Sequence, residues 1–306
     1  MKEVFAGIDL GGTGSRFVTY ARNRVLASIT VTTEELAAGD RAEKLARVVN
    51  TVCRLVPSAS KLQGLGVGAS GPVDRIRGVV NNRDTLPGFS GIRLVAGLQR
   101  RLGVPVTIDN DAMVAAIAEQ RIGAGKKASR MLMVTLGTGI GVALVVDGKP
   151  FRGSDGAHPE ASHIPIVSDA RRCYCGIDGC WENLASRSAL QRMLRPLVPS
   201  ALADAEIVSY AVKFSHRKRM RQVFYEYGVL VGRGLLALHA LYMPNLTVLG
   251  GSATDQFALF TPGLRASLAK SKQFGGDVKV RVSSLGDIAG AVGAAFIAQD
   301  ASVLSH

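Results

Sequence analysis

The segment VFAGIDLGGTGSRFVTYARNR, residues 4–24, decides the fold of this chain. An apolar strand runs into Asp9-Leu10-Gly11-Gly12-Thr13-Gly14, and a second strand, Arg16–Tyr20, is followed by a polar turn. Residues 131–151, MLMVTLGTGIGVALVVDGKPF, repeat this order with a glycine loop at 136–141 and a turn at Asp147-Gly148. The two segments predict a duplicated β-hairpin. Two unrelated glycine-rich hairpins are the alternative.

Both glycine loops are followed by a strand and not by a helix. A dinucleotide-binding fold needs a helix directly after its glycine-rich loop, so the pattern argues against that fold. Glycine loops at hairpin tips expose backbone N–H groups, which can surround a phosphate group. The sequence therefore predicts two phosphate-binding hairpins.

Apolar periodicity predicts alternating helices and strands in the rest of the chain. The predicted elements are a helix Asp40–Val56, a strand Leu62–Ala69, a strand Val104–Ile108, a helix Ala112–Ile122, a helix Val223–Tyr242, a strand Leu246–Leu249, a strand Val278–Val282 and a small-residue helix from Asp287. Cys53 is predicted on the apolar face of the first helix. The strand ends carry Ser70-Gly71-Pro72, Asp109-Asn110-Asp111 and Gly250-Gly251. The acidic cluster at 109–111 fits either a crevice at a strand end or the N-cap of the helix that follows.

Three of the four cysteines lie in the run Cys173-Tyr174-Cys175-Gly176-Ile177-Asp178-Gly179-Cys180, downstream of His163. Three thiolates and an imidazole complete the tetrahedral shell of a structural zinc ion. Free cysteines in a loop are the alternative. Glu160 and Glu182 flank the cluster, so the metal is predicted to hold polar groups beside it.

Composition limits the class of protein. The chain has 306 residues, of which 47% are hydrophobic, which is enough for two domains or one large bilobal one. The sequence predicts a cytoplasmic protein with no membrane segment, since no leader or long apolar run is apparent. The formal charge of +13 raises nucleic acid as a partner. The basic run 213–221 lacks interleaved aromatic residues, however, and fits a solvated helix start or an anion- or partner-binding patch.

These motifs together resemble the ROK kinases of the actin–hexokinase–Hsp70 superfamily. The two glycine loops, Val248-Leu249-Gly250-Gly251 and the run from Glu160 to Glu182 carry the resemblance. It implies an α/β two-lobed actin-like ATPase (ribonuclease H-like) fold with duplicated β-hairpin phosphate loops and a central cleft. The smaller lobe would comprise residues 1–111 and 286–306, and the larger lobe residues 112–285.

The resemblance also implies roles for individual residues. Asp111 would be the general base, and Asp9 would hold Mg²⁺ through water. The implied sugar ligands are Gly71, Asn110, Asp111, Glu160, His163 and Glu182. The implied ATP-binding residues are Asp9, Gly11, Gly12, Thr13, Gly137, Thr138, Gly139, Gly250 and Gly251. One structural Zn²⁺ would be bound by His163, Cys173, Cys175 and Cys180.

The implied activity is ATP-dependent phosphorylation of a hexose or hexose derivative, in the class of glucose, fructose, mannose and N-acetylhexosamines. The resemblance further implies a homodimer, with sugar and ATP as ligands and neither nucleic acid nor membrane as a partner. A non-catalytic sugar sensor or repressor-like member is the alternative. Repressors of this family carry a helix-turn-helix domain ahead of the first loop, and that loop begins here at Gly7. A kinase is therefore expected.

Overall fold

The computed structural model describes residues 2–168, 171–273 and 278–303. Its strands are β1 (Lys2–Leu10), β2 (Gly14–Ala21), β3 (Arg24–Thr32), β4 (Ser60–Ala69), β5 (Val73–Asp74), β6 (Val79–Val80), β7 (Val106–Asn110), β8 (Arg130–Leu136), β9 (Ile140–Val146), β10 (Lys149–Pro150), β11 (Leu246–Gly250) and β12 (Val280–Val282). Its α-helices are α1 (Thr33–Ala37), α2 (Arg41–Leu55), α3 (Leu94–Leu102), α4 (Asp111–Ile122), α5 (Trp181–Ala185), α6 (Arg187–Leu194), α7 (Ile207–Lys213), α8 (Lys218–Tyr242), α9 (Phe257–Leu268) and α10 (Ala289–Val303).

Two five-stranded sheets share one strand order. The first sheet runs β3-β2-β1-β4-β7 and the second β10-β9-β8-β11-β12. In the first, β1 pairs antiparallel with β2 and parallel with β4. In the second, β8 pairs parallel with β11, which pairs parallel with β12. The predicted hairpins are confirmed, and the shared order favours a duplication over two unrelated hairpins.

Helix α10 lies directly on the first sheet because both surfaces lack side chains where they meet. A methyl group on Gly7 of β1 would lie 1.9 Å from the carbonyl oxygen of Ala291, and one on Gly66 of β4 would lie 1.7 Å from that of Ala294. Ala291 and Ala294 are themselves fully buried. The prediction of a small-residue helix against a sheet is confirmed.

Helix α2 shows both a predicted boundary and a wrong burial assignment. Asp40 caps the helix in a reciprocal capping box with Glu43, as the predicted start requires. Leu45, Val48 and Val52 form its buried face. Cys53 is exposed, contrary to the prediction. It follows Val52 directly, and one residue turns a helix by about 100°, away from the buried face.

The chain divides into two compact units, which we call unit 1 (1–127, 143–159 and 284–306) and unit 2 (128–142 and 160–283). This division keeps α4 with the first sheet, whereas the sequence-based boundary falls between residues 111 and 112. That boundary stays a prediction. No helix in the described ranges combines the length and apolar character needed to span a membrane. The basic run 213–221 lies at the junction of α7 and α8, where Lys218 begins α8 and is exposed.

Candidate active site

In unit 1, three adjacent parallel strands end side by side. Leu10 of β1 is in register with Ala69 of β4, and Ala69 is in register with Asn110 of β7. The chain therefore continues at one sheet edge as three neighbouring segments: the first glycine loop, Ser70-Gly71 and Asp111. Ligands of parallel α/β sheets bind at this edge.

Asp111 is the first residue of α4, and its carboxylate is held from two sides. Oδ1 accepts a hydrogen bond from the N–H of Ala112 at 2.7 Å, and Oδ2 accepts one from the hydroxyl of Ser70 at 2.8 Å. Ser70 had no predicted role, although its place after a predicted strand puts it on the same edge. Both bonds orient the carboxylate at the strand ends.

Asn110 serves as the N-cap of α4. Its Oδ1 accepts hydrogen bonds from the N–H groups of Ala112 at 2.9 Å and Met113 at 3.2 Å. Its Nδ2 lies 3.1 Å from the position that a Cβ on Gly71 would take, so Gly71 leaves room for this amide. The helix cap and the crevice at the strand end, which were predicted as alternatives, are therefore compatible. Oδ1 of Asn110 caps the helix, and Nδ2 faces Gly71.

Asp9, near the end of β1, is electrostatically coupled to Asp111. Burial and the neighbouring Asp111 carboxylate raise the pKa of Asp9 to about 7, against the opposing effect of Arg16. A methyl group on Gly290 would lie 2.6 Å from the Asp9 carboxyl carbon, so this glycine admits the carboxylate. Two carboxylates with such coupling suit a hard divalent cation, which prefers oxygen ligands and relieves the repulsion.

The first glycine loop is held by Thr33 at the start of α1. The Thr33 hydroxyl donates to the carbonyl of Gly11 at 2.6 Å, and its N–H donates to the carbonyl of Thr13 at 3.0 Å. Gly12 lies close to the backbone of Thr85, because a Cβ would be 2.9 Å from the Thr85 carbonyl oxygen. Thr33 lies two strands from the loop in sequence, and no spacing rule predicted it.

Asp109 forms a buried ion pair at the end of β7. It is 2% exposed and forms ion pairs with Arg152 and with Arg75, whose Nε lies 3.4 Å from Oδ2. Oδ1 of Asp109 also accepts from the N–H of Asn110 at 2.8 Å. Within the cluster 109–111, the cap of α4 is therefore Asn110, and Asp109 does not take part in capping.

In unit 2, the second glycine loop meets the turn after β11. Gly250 is in register with Thr135, and the Thr135 hydroxyl accepts from the N–H of Gly141 at 3.1 Å. Gly251 has φ 81°, and a Cβ there would lie 2.7 Å from the backbone of Leu136. The structure thus brings together the ATP-binding candidates predicted in unit 2, which are Gly137, Thr138, Gly139, Gly250 and Gly251.

Glu182 connects the second glycine loop to the segment after the cysteines. Its Oε2 accepts from the N–H of Ile140 at 3.0 Å. The N–H of Arg187 donates to the carbonyl of Gly137 at 2.8 Å. The loop is therefore anchored to α5 and α6, which the sequence did not indicate.

The four predicted metal ligands converge in unit 2. The ligand atoms of His163, Cys173, Cys175 and Cys180 all lie within 4.8 Å of one another. Nδ1 of His163 is 3.3 Å from Sγ of Cys180. Burial raises the pKa of the Cys180 thiol to about 12 and also raises that of Cys173. Such thiols are protonated without a metal, and a bound cation would favour their thiolates.

A tight backbone supports this cluster. Gly179 has φ 67°, and a Cβ there would lie 1.9 Å from the carbonyl oxygen of Val167. Tyr174, between the first two cysteines, contacts His163 with ring centroids 5.3 Å apart. This tyrosine had no predicted role, although it lies inside the cysteine run. The donor set and its convergence fit a structural zinc ion.

Comparison with known proteins places these features in a family. The model of the ROK family matches residues 5–301. The chain is 29% identical over 317 residues to a glucokinase of Streptomyces coelicolor, with 96% of this chain and 97% of that protein covered. It is also 28% identical over 306 residues to a putative xylose repressor of Caldicellulosiruptor sp., with 94% of this chain and 76% of that protein covered.

Two solved structures are similar over nearly the whole chain. A ROK hexokinase from Thermus thermophilus has a TM-score of 0.80 and 28% identity, with 99% of this chain and 100% of that chain covered. A ROK family glucokinase from Streptomyces griseus, in complex with glucose and AMPPNP, has a TM-score of 0.79 and 27% identity, with 97% and 99% covered. The predicted actin-like α/β fold class is confirmed, and the chain belongs to the ROK family.

Proposed function

We propose that this protein transfers a phosphoryl group from ATP to a hydroxyl of a hexose or hexose derivative. Two of the similar proteins, from S. coelicolor and T. thermophilus, are a glucokinase and a hexokinase, and this supports the proposed activity. The S. griseus glucokinase, solved with glucose and AMPPNP, supports the two ligand classes. The homodimer implied by the sequence resemblance is part of the same proposal.

The observation that carries the proposal is the acidic pair at the strand ends of unit 1. Asp111 is oriented by Ser70 and by its own helix, and Asp9 lies close enough to Asp111 for its pKa to be raised. Phosphoryl transfer to an alcohol needs a base for the hydroxyl proton and a cation for the phosphate charge. One carboxylate is available for each task.

In this mechanism Asp111 accepts the proton of the attacking sugar hydroxyl while the Ser70 hydroxyl keeps the carboxylate in place. Asn110 would donate from Nδ2 to a sugar hydroxyl beside Gly71. The backbone N–H groups of the two glycine loops would bind phosphate oxygens. Mg²⁺, held by Asp9 through water, would supply charge neutralisation of the phosphates.

The proposal includes three sugar ligands in unit 2. Glu160, His163 and Glu182 have the hydrogen-bonding groups that sugar hydroxyls need, since each carboxylate can accept from two hydroxyls. Nδ1 of His163 faces the cysteine sulfurs, which leaves Nε2 for a sugar oxygen. One zinc ion with four protein ligands would be structural and would hold this imidazole in place.

The second candidate is a sugar-binding protein without catalysis. The similarity to a putative xylose repressor, which covers 76% of that protein, favours it. Such a protein would bind a sugar and release no ADP with any sugar offered. The kinase assay below therefore separates the two functions.

The test compares the parent protein with Asp111→Asn in an ADP-release assay over a panel of hexoses and N-acetylhexosamines. Loss of the base is expected to lower kcat by about 10²–10⁴-fold. Sugar binding, measured by calorimetry, should change little because the amide keeps the size and most hydrogen bonds. Asp300→Asn, on the exposed surface of α10, is the matched control and should retain parent activity. Activity of Asp111→Asn within about threefold of the parent would show that Asp111 is not the general base.

A further inference from the structure

Tyr174 occupies an unusual position within the cysteine run. It lies between two proposed zinc ligands, and its side chain is largely exposed, with 72% of the residue accessible. Its ring meets the His163 imidazole edge to face, with centroids 5.3 Å apart and an interplanar angle of 88°. The cysteine run thus positions the backbone of Tyr174 while its ring lies against a proposed sugar ligand.

The hydroxyl of Tyr174 contacts one of the proposed sugar ligands of unit 2. Its oxygen is 3.3 Å from Nε2 of His163. A phenolic hydroxyl is therefore within hydrogen-bonding distance of this ring nitrogen.

The direction of this hydrogen bond follows from the imidazole. Nδ1 of His163 faces the sulfurs of Cys180 and Cys173, at 3.3 and 4.0 Å. With Nδ1 bound to the proposed zinc ion, the ring proton would reside on Nε2. Nε2–H would then donate to the Tyr174 oxygen. A sugar hydroxyl can accept the same hydrogen bond.

We propose that Tyr174 is a specificity-determining residue of the sugar site, whose hydroxyl competes with a sugar hydroxyl for the hydrogen bond from Nε2 of His163. The proposal rests on the proposed function, because it takes His163 as a sugar ligand. It assigns to the residue between the first two cysteines a role in substrate choice.

Two consequences follow for binding. A sugar with the matching hydroxyl must displace Tyr174, and the exposed ring can turn into water at little cost. A sugar that lacks this hydroxyl leaves Tyr174 in place, so Nε2 of His163 keeps its partner. Without the tyrosine hydroxyl, the same deoxy sugar would leave Nε2 of His163 unpaired, which a binding site penalises strongly. Tyr174 therefore broadens the range of sugars accepted.

The test uses Tyr174→Phe in the full-length, zinc-containing protein. Its substrates are the hexose that the parent phosphorylates best and the monodeoxy analogues of that hexose. For the parent hexose, KM is expected to fall about threefold at unchanged kcat, because the competing hydroxyl is gone. For one analogue, the ratio of kcat/KM between hexose and analogue is expected to rise about tenfold, which is the effect of about 1.4 kcal/mol of lost pairing.

Tyr225→Phe, on the exposed side of α8, is the matched control and should change neither value. Zinc content is measured on each variant, so that damage to the cysteine run is recognised. A higher KM for the parent hexose in Tyr174→Phe would show that the hydroxyl itself binds sugar, and would overturn the proposal. Unchanged ratios for every analogue would overturn it too.

Failure of the proposed function gives a different result. If the protein binds hexoses but phosphorylates none, calorimetric dissociation constants replace kcat/KM, and the same tenfold change in ratio is expected. If it binds no hexose, both proposals fall. An active kinase with unchanged ratios contradicts the role of Tyr174 alone.

Discussion

Asp109 carries a buried negative charge one residue before Asn110. Arg152 and Arg75 neutralise it, and its own Oδ1 accepts from the N–H of Asn110. Arg152 also donates to the carbonyl of Gly156, so the ion pair connects the end of β7 to the segment that precedes Glu160. Asp109 is thus a structural anchor beside the proposed base.

Replacing Asp109 by Asn should destabilise the protein by about 3 kcal/mol, because it leaves a largely buried guanidinium without its charge partner. The side chain of Arg152 is 17% exposed, so water compensates only in part. Asp300→Asn is the matched control, since the Arg121–Asp300 pair is 34% and 50% exposed and should contribute less than about 1 kcal/mol. Urea unfolding of both variants measures the difference. Equal losses in both would mean that the Asp109 pair contributes no more than a surface pair.

For single residues, the sequence predicts site residues that are neighbours in the chain. It does not predict hydrogen-bond or ion-pair partners that are distant in the chain. Asn110 and Asp111 were predicted because the pair fits the family resemblance and because a strand end and a helix start meet there. The bonds from Ser70 to Asp111 and from Arg152 to Asp109 join positions separated by 41 and 43 residues. No periodicity links such positions, and only the fold brings them together.

A buried histidine of helix α8 contacts strand β11. His239 is 6% exposed, and its Nε2 is 2.8 Å from the hydroxyl of Thr247. Burial lowers the pKa of His239 to about 4, from the ordinary 6.5. The folded protein therefore keeps this imidazole neutral over a range in which the unfolded chain protonates it.

The sign of the resulting pH dependence follows from linkage. Between about pH 6.5 and pH 4 the unfolded chain binds the extra proton, so stability falls as the pH falls through this window. At pH 4.5 the loss is expected to be about 2.5 kcal/mol, since each unit of pKa difference is worth about 1.4 kcal/mol. His239→Gln keeps a polar partner for Thr247 and does not titrate. Denaturant unfolding at pH 7.5 and pH 4.5 should show a smaller acid loss in this variant, and an identical loss in both proteins would refute the assignment.

The long periodic elements were predictable, and the short ones were not. The predicted helix Ala112–Ile122 and the observed Asp111–Ile122 differ by one residue. Helix α8 begins at Lys218, before the predicted Val223, because its first turn is basic and carries little of the apolar pattern. Strands β5, β6 and β10 have two residues each, too few to show any alternation.

For the molecule as a whole, the duplication was visible in the sequence, and the predicted lobe boundaries stay a prediction. The two glycine hairpins have the same local pattern, and each starts a sheet of the same strand order. The boundaries of the units depend on contacts between segments far apart in the chain, as the three stretches of unit 1 show. Unit 2 contains both the proposed zinc ligands and the chain's single tryptophan, Trp181.

Trp181 makes the stability of unit 2 measurable by itself. It is fully buried, its Nε1 donates to the carbonyl of Leu230 at 3.1 Å, and it directly follows Cys180. A zinc ion bound by the cysteine run should therefore stabilise the packing around the Trp181 side chain. The purified protein is expected to carry about one zinc per chain by elemental analysis, because the four ligands form one tetrahedral shell.

Cys175→Ser should lose the zinc and lower the melting temperature reported by Trp181 fluorescence by more than about 10 °C. A structural zinc contributes several kcal/mol, and each kcal/mol shifts the midpoint of a unit of this size by about 3 °C. Far-UV circular dichroism, which reports helices in both units, should then show a second transition from unit 1 at higher temperature. Cys53→Ser, at the exposed cysteine of unit 1, is the control and should leave both signals unchanged. If fluorescence and dichroism of Cys175→Ser still melt together at the parent temperature, the cysteine run does not hold a structural metal.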